Sequence, residues 1–311
     1  MSDYNFAIES KNLNKTYIKK NNLDNHALIN LNIQIPTGSI YGLLGPNGAG
    51  KSTFINILGG LVKKNSGDVK ICNINIDNNA KLSKKKIGIV PQELNIDPFF
   101  TPIELLELQA GLYGVSKKNR KSEDILSKVG LLDQKNSYAR TLSGGMRRRL
   151  LIAKALVHDP EIIILDEPTA GVDVELRQSL WKYIKELNNN GKTICLTTHY
   201  LEEAEYLCDY ITIINNGKIL KSDTKNNLIN LIGIKTVKFS LNCQIKKVPQ
   251  AFNKYNPILS TNILSLTYDK NLIKLKSILD ELNAHKITFD EINTYESNLE
   301  DIFIDLIKKN D

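Results

Sequence analysis

A chain of 311 residues and 35.0 kDa exceeds an ordinary single domain, so one large domain with a smaller companion is expected. Apolar residues at 41% and charged residues at 24% fit a water-soluble globular protein and exclude long disorder or collagen-like order. The net charge of +7, carried by 35 lysines and 6 arginines beside 35 asparagines, reflects either an AT-rich coding composition or a weak attraction to anionic surfaces.

The first ten residues have no basic start and no apolar stretch, so they do not read as a signal peptide. Residues 1–40 alternate apolar and polar, as at Leu28, Leu31, Ile33 and Ile35. That period predicts antiparallel strands with one buried face. From Ser39 the pattern changes to short apolar runs, each leading into a helix. Residues 39–44 lead into a helix near Phe54, residues 161–167 into one around 174–187, and residues 193–199 into one at 201–207. Such alternation predicts a parallel sheet covered on both faces.

Residues 93–160 read as mostly helical. Thr101-Pro102-Ile103-Glu104 is a capping box with Pro at the first helical position. The densest apolar stretch, Leu150 to Val157, contains Lys154 and falls far short of the roughly 18 apolar residues a membrane helix needs. Asp173 is placed to cap the next helix. Leu176, Leu180, Ile184 and Leu187 form its stripe, and Asn188 to Gly191 ends it. Trp181 lies off that stripe and receives no role. Beyond about Lys221, residues 236–241 and 263–269 read as strands and residues 277–284 as a helix. Residues 299–309 read as a final amphipathic helix. The expected division is 1–222 and 223–311, the second part a small α+β module. Cys72, Cys195, Cys208 and Cys243 show no paired or metal-ligand spacing and read as buried, reduced thiols.

Three segments carry chemistry. Gly45, Pro46, Asn47, Gly48, Ala49, Gly50, Lys51, Ser52 and Thr53 fit G-x-x-x-x-G-K-S/T between a strand and a helix. Glycines let backbone N–H groups turn inward around phosphate oxygens, and the following helix presents its positive end to the same anions. Lys51 is placed for the β- and γ-phosphates, and Ser52 for Mg²⁺. Residues 162–165 form an apolar strand ending in Asp166 and Glu167, 115 residues after Lys51. Asp166 is expected to hold Mg²⁺, directly or through water, and Glu167 to polarise the attacking water. Ser143, Gly144 and Gly145 lie just over 20 residues before Asp166 and open a helix, a second anion site. Arg147–Arg149 gather half of the arginines, which composition does not explain.

Taken in order, the glycine loop, Gln92, Leu142-Ser143-Gly144-Gly145-Met146, residues 162–173 and His199 resemble the ATP-binding subunit of ABC transporters. The resemblance spans about residues 8–222. It implies an α/β fold: a P-loop NTPase core of ABC ATPase type with an antiparallel β subdomain and a helical subdomain. It also implies ATP and Mg²⁺ as cofactors. Tyr17 matches the aromatic that stacks on adenine, a contact worth roughly 1–3 kcal/mol per base. Gln92 matches the glutamine that touches Mg²⁺ and signals nucleotide state to a membrane partner. Asp173 matches the aspartate crossing between two ATPase subunits, a role compatible with its cap. His199 matches the histidine at the γ-phosphate. Met146 stands where many members carry Gln.

The stretches 141–156, 168–173 and 197–205 are similar to the export branch that handles drugs and polysaccharides. Residues 298–307 resemble the C-terminal extension of that branch, with Asn298 in place of the usual Ser. The expected protein is therefore the ATP-hydrolysing energy subunit of an exporter. It would be a homodimer, peripheral on the cytoplasmic face of the membrane, with a separate permease as partner. The alternatives are an importer ATPase or a soluble ABC protein acting on ribosome or DNA. The last usually has two cassettes or a long coiled-coil insertion, and neither occurs here. Phe99 and Phe100, ahead of the capped helix, suit either a permease contact or the core. The basic runs Lys19–Lys20, Lys84–Lys86 and Lys117–Lys121 lack interleaved aromatics and read as solvated faces, so no nucleic acid is expected.

Overall fold

The computed structural model describes residues 4–18, 24–231, 234–242, 245, 248–270, 272–296 and 299–308. Lys19–Lys20, Cys243 and Asn298 lie outside the described residues. The chain divides into two compact units, Met1–Asp223 and Thr224–Asp311.

The first unit begins with β1 (Phe6–Ile18) and β2 (Asp24–Pro36), then β3 (Ile40–Leu44) and α1 (Lys51–Leu58). β4 (Ser66–Ile71), β5 (Ile74–Asn75), α2 (Ala80–Lys85) and β6 (Ile87–Val90) follow. The expected helical stretch holds α3 (Pro102–Leu112), α4 (Ser122–Lys128) and α5 (Gly144–Leu156). The unit closes with β7 (Ile162–Asp166), α6 (Val174–Asn189), β8 (Thr193–Thr198), α7 (Leu201–Leu207), β9 (Tyr210–Asn215) and β10 (Lys218–Thr224).

Two sheets result. The first has the order β2-β1-β4-β5, and its β1–β2, β1–β4 and β4–β5 pairs are antiparallel. The second has the order β10-β9-β3-β8-β7-β6, in which β9, β3, β8, β7 and β6 run parallel. β3, β7 and β8 are buried at every position, which only side chains without charge tolerate along most of a strand covered on both faces. Leu43, Phe54, Ile57, Ile162, Ile164 and Cys195 join the β1–β2 side chains in one apolar cluster. A second cluster ties α3, α4 and α5 through Leu106, Leu126, Leu131, Leu150 and Ala153.

The local signals act as their chemistry directs. Thr101 Oγ1 accepts the Glu104 N–H while Glu104 reaches back to the Thr101 N–H, so the capping box is closed on both sides. Phe99 and Phe100 part company: Phe100 packs on the helical cluster, whereas Phe99 is 70% exposed. On α6 the buried set is Leu180, Trp181 and Ile184. Trp181 therefore belongs to the buried face, contrary to the stripe read from spacing. The partner it finds on α7 is invisible to helical periodicity.

The second unit contains α8 (Lys225–Leu231), β11 (Ile234–Leu241), β12 (Ile258–Ser260), β13 (Ile263–Asp269), α9 (Leu275–Ala284), β14 (Phe289–Glu296) and α10 (Leu299–Lys308). Its antiparallel sheet has the order β12-β13-β11-β14. Val237 faces Leu266 and Phe239 faces Leu264, and these pairs meet Ile278 and Leu282 of α9 in a separate core.

Candidate functional site

The parallel sheet gathers the chemistry at one edge. Leu44 pairs with Thr198, Asp166 with Thr197, and Val90 with Leu165. The carboxyl ends of β3, β6, β7 and β8 are thus level. The glycine loop, Gln92, Glu167 and His199 leave the sheet within one or two residues of that line. In open α/β sheets this edge is where ligands bind.

The loop after β3 is built by its backbone. Gly50 adopts φ +110, and a Cβ there would stand 2.4 Å from the Ala27 carbonyl oxygen. Gly50 is followed at once by α1, whose first N–H groups have no partner within the helix. Lys51 is 5% exposed, and its Nζ donates to Gly45 O at 2.6 Å and Pro46 O at 3.1 Å. Burial pulls the Lys51 pKa down, while the charges of Glu167 and Asp166 pull it up. The ammonium therefore lies within electrostatic reach of both carboxyls. Gly50→Ala is expected to cost about 1–3 kcal/mol, the scale of a strained backbone position. Urea unfolding reads it, and an unchanged midpoint would refute this account of the loop.

Glu167 is the centre of the arrangement. It has φ +47, a left-handed conformation unusual for a residue with a side chain. Its N–H donates to Thr197 O and to Thr197 Oγ1, both at 3.1 Å, which holds the strained turn against β8. Its Oε2 accepts from Gln92 Nε2 at 2.9 Å and lies 3.2 Å from His199 Nδ1. Glu167 is 6% exposed, whereas the His199 side chain is 43% exposed. Asp166, beside it, accepts from Thr197 Oγ1. One threonine thus orients both acids.

Gln92 is itself held from α5. Arg148 is buried and donates through Nη1 to Pro91 O and through Nη2 to Gln92 O, each at 2.9 Å. Burial lowers the Arg148 pKa, while the charges of Asp166 and Glu167 oppose the shift. Arg149 Nη1 donates to Val129 O and Gly130 O, closing the turn after α4. The arginine cluster was visible in the sequence, but which carbonyls it binds was not.

Ser143, Gly144, Gly145 and Asp173 lie elsewhere. Ser143 Oγ caps α5 by accepting the Met146 N–H at 3.2 Å, and Asp173 Oδ1 caps α6 by accepting the Leu176 N–H at 2.8 Å. A Cβ on Gly145 would stand 2.2 Å from a terminal methyl of Leu176, which would have to turn aside. The two capped helix starts line one cavity of about 570 Å³, with Met146 and Arg148 on its wall. No residue of the glycine loop lines it. Tyr17, near the end of β1, is 37% exposed, with Lys15 Nζ 4.8 Å from its ring centre.

A family model described as ABC transporter matches residues 28–170. The linearmycin resistance ATP-binding protein of Bacillus subtilis is 33% identical, across 96% of this chain and 97% of that protein. The Nod factor export ATP-binding protein I of Cupriavidus pinatubonensis is 40% identical, across 68% of this chain and 66% of that protein. Among solved structures, a dimeric ATP-binding cassette in a post-hydrolysis state with ADP and phosphate is similar. It has a TM-score of 0.64 and 32% identity, over 70% of this chain and 98% of that one.

Proposed function

Because the chain belongs to the ABC transporter family of ATP-binding proteins, we propose that it is the ATP-hydrolysing energy subunit of an exporter. The chain is an ATPase of this family. One compared relative is named for export and another for resistance, which favours export over import. Residues 1–222 act as the ATPase domain and residues 223–311 as a C-terminal extension. Among the described residues no helix is long and apolar enough to cross a membrane. The membrane path is accordingly assigned to a separate permease, with this chain peripheral on its cytoplasmic side.

The observation that carries the reading is the meeting of Gln92 and His199 on one oxygen of Glu167 at the sheet edge where Lys51 lies. On this reading Gly45, Pro46, Asn47, Gly48, Ala49, Gly50 and Thr53 wrap the phosphates, and Lys51 neutralises their charge. Tyr17 stacks on the adenine. Glu167 takes the proton of the attacking water while His199 fixes its carboxylate. Gln92 leaves Glu167 when the membrane partner moves.

The residues suit Mg²⁺. Ser52, Asp166 and the Gln92 amide offer oxygen donors, a hard set. Among the described residues no three of His, Cys, Asp and Glu are placed to hold a metal ion by themselves. A metal here would lean on Ser52, Asp166 and the nucleotide phosphates, as Mg²⁺ sites do. When bound, Mg²⁺ supplies charge neutralisation at the β- and γ-oxygens.

Deleting the permease gene and fractionating the cells tests the assignment. The chain should leave the membrane fraction. Unchanged membrane association would contradict it and point to direct lipid binding through the lysines.

A further inference from the structure

Glu203 lies outside the set of residues assigned to nucleotide. It sits on α7, four residues past His199, and is 0% exposed. Its Oε1 accepts from Thr169 Oγ1 at 2.9 Å and from Trp181 Nε1 at 3.0 Å. Among the described residues its Oε2 is buried without a hydrogen-bond partner. Burial raises its pKa, while the Trp181 and Thr169 donors and the charge of Arg177 oppose the rise.

Its two partners come from segments that each carry an assigned residue, and its own helix α7 begins two residues after His199. Thr169 follows Glu167 by two positions and anchors the turn in which Ala170 N–H reaches Glu167 O and Val172 N–H reaches Thr169 O. Trp181 lies on α6, the helix capped by Asp173. Thr198 immediately precedes His199, and its Oγ1 accepts the Tyr200 N–H at 2.9 Å. A role confined to stability does not account for this group. A buried carboxyl with one oxygen unsatisfied costs free energy that an apolar side chain of similar volume would avoid. What the carboxyl adds is direction: one oxygen fixes the spacing of separate segments.

We propose that Glu203 is a positioning residue that locks the turn after Glu167, helix α6 and the segment carrying His199 into one body. Glu167, Asp173 and His199 then shift together when nucleotide binds. The inference rests on the ATPase reading above and adds a residue that touches neither nucleotide nor water.

Trp181 is the only tryptophan of the chain, so its emission reports on the lock directly. Its indole also stacks on Tyr206 with centroids 4.8 Å apart. The variants are Thr169→Val, Glu203→Leu and Glu203→Gln, with wild type in the same assays. Thr169→Val removes one bond at nearly constant volume and stands in for Glu203→Leu should the latter fail to fold. Thr169→Val and Glu203→Leu should lower kcat by about 10–100-fold, the scale of a misplaced catalytic group. KM for ATP should stay within about twofold, because the phosphate loop is untouched. Glu203→Gln keeps an acceptor oxygen and should restore most of kcat. Adding Mg²⁺ and ATP should change Trp181 emission in wild type but not in Thr169→Val. The lock is overturned by wild-type kcat in a folded Thr169→Val or Glu203→Leu protein. It is equally overturned if Glu203→Gln is as damaged as Glu203→Leu, or if Thr169→Val keeps the wild-type emission change. Absence of hydrolysis in wild type would instead overturn the ATPase reading, which separates the two failures.

Discussion

Replacing Glu167 by Gln should leave ATP binding intact and cut turnover by about 10²–10⁴, the usual cost of losing a general base. The substitution keeps the size of the side chain. It also keeps one amide oxygen to accept from Gln92 Nε2, now 2.9 Å from Glu167 Oε2. The backbone bonds that hold the strained turn, from Glu167 N–H to Thr197, do not involve the side chain. Lys51 loses one of two neighbouring carboxylates but keeps its bonds to Gly45 O and Pro46 O. The loop that would hold the phosphates is therefore preserved while the proton acceptor is gone. ATP affinity by calorimetry and phosphate release under saturating ATP give the two numbers. Hydrolysis near the wild-type rate would remove the base assignment.

Lys51→Ala and Ser143→Arg should each abolish ATPase activity alone and recover part of it when mixed. Ser143 and Asp173 line a cavity to which no glycine-loop residue contributes, so we take the two anion sites as halves supplied by different chains. Both halves serve one nucleotide only if a second chain brings its Ser143 turn to the Gly45–Thr53 loop. A homodimer of either variant then has two damaged sites. A mixed dimer carries both lesions in one site and leaves the other intact. The similar solved cassette with ADP and phosphate is itself dimeric. Each homodimer should lose the bulk of its turnover if, as proposed, Lys51 and the Ser143 turn both serve charge that grows in the transition state. A variant that keeps full activity alone would refute the role given to its residue.

Much of the site could be read from the sequence because it is made by backbone chemistry. Gly50 needs its place for a φ of +110 and for the nearby Ala27 carbonyl, so the residue type itself is the signal. Asp173 and Thr101 were legible as caps for the same reason: a short polar side chain satisfies N–H groups three residues on. Glu203 was not legible. Its partners Thr169 and Trp181 are 34 and 22 residues away, brought near only when α6 and α7 pack together. Arg148 was conspicuous as one of three arginines, yet its targets are main-chain oxygens, which no side-chain pattern encodes. In the second unit, β14 escaped notice because it pairs at the sheet edge with β11 and exposes Asp290 through Tyr295. A strand that buries so little shows no clean alternation. α8, with three asparagines in seven residues, has poor helix propensity and gains its place by packing against α10.

The central claim is that ATP joins two copies of this chain through sites neither completes alone. Light scattering on Glu167→Gln, with and without Mg²⁺ and ATP, tests it most directly, because slow hydrolysis traps the bound state. The account predicts the mass of a monomer without nucleotide and of a dimer with it, the dimer being lost when Ser143→Arg is added. A monomer at saturating ATP, with wild-type turnover per chain constant on dilution, would contradict it.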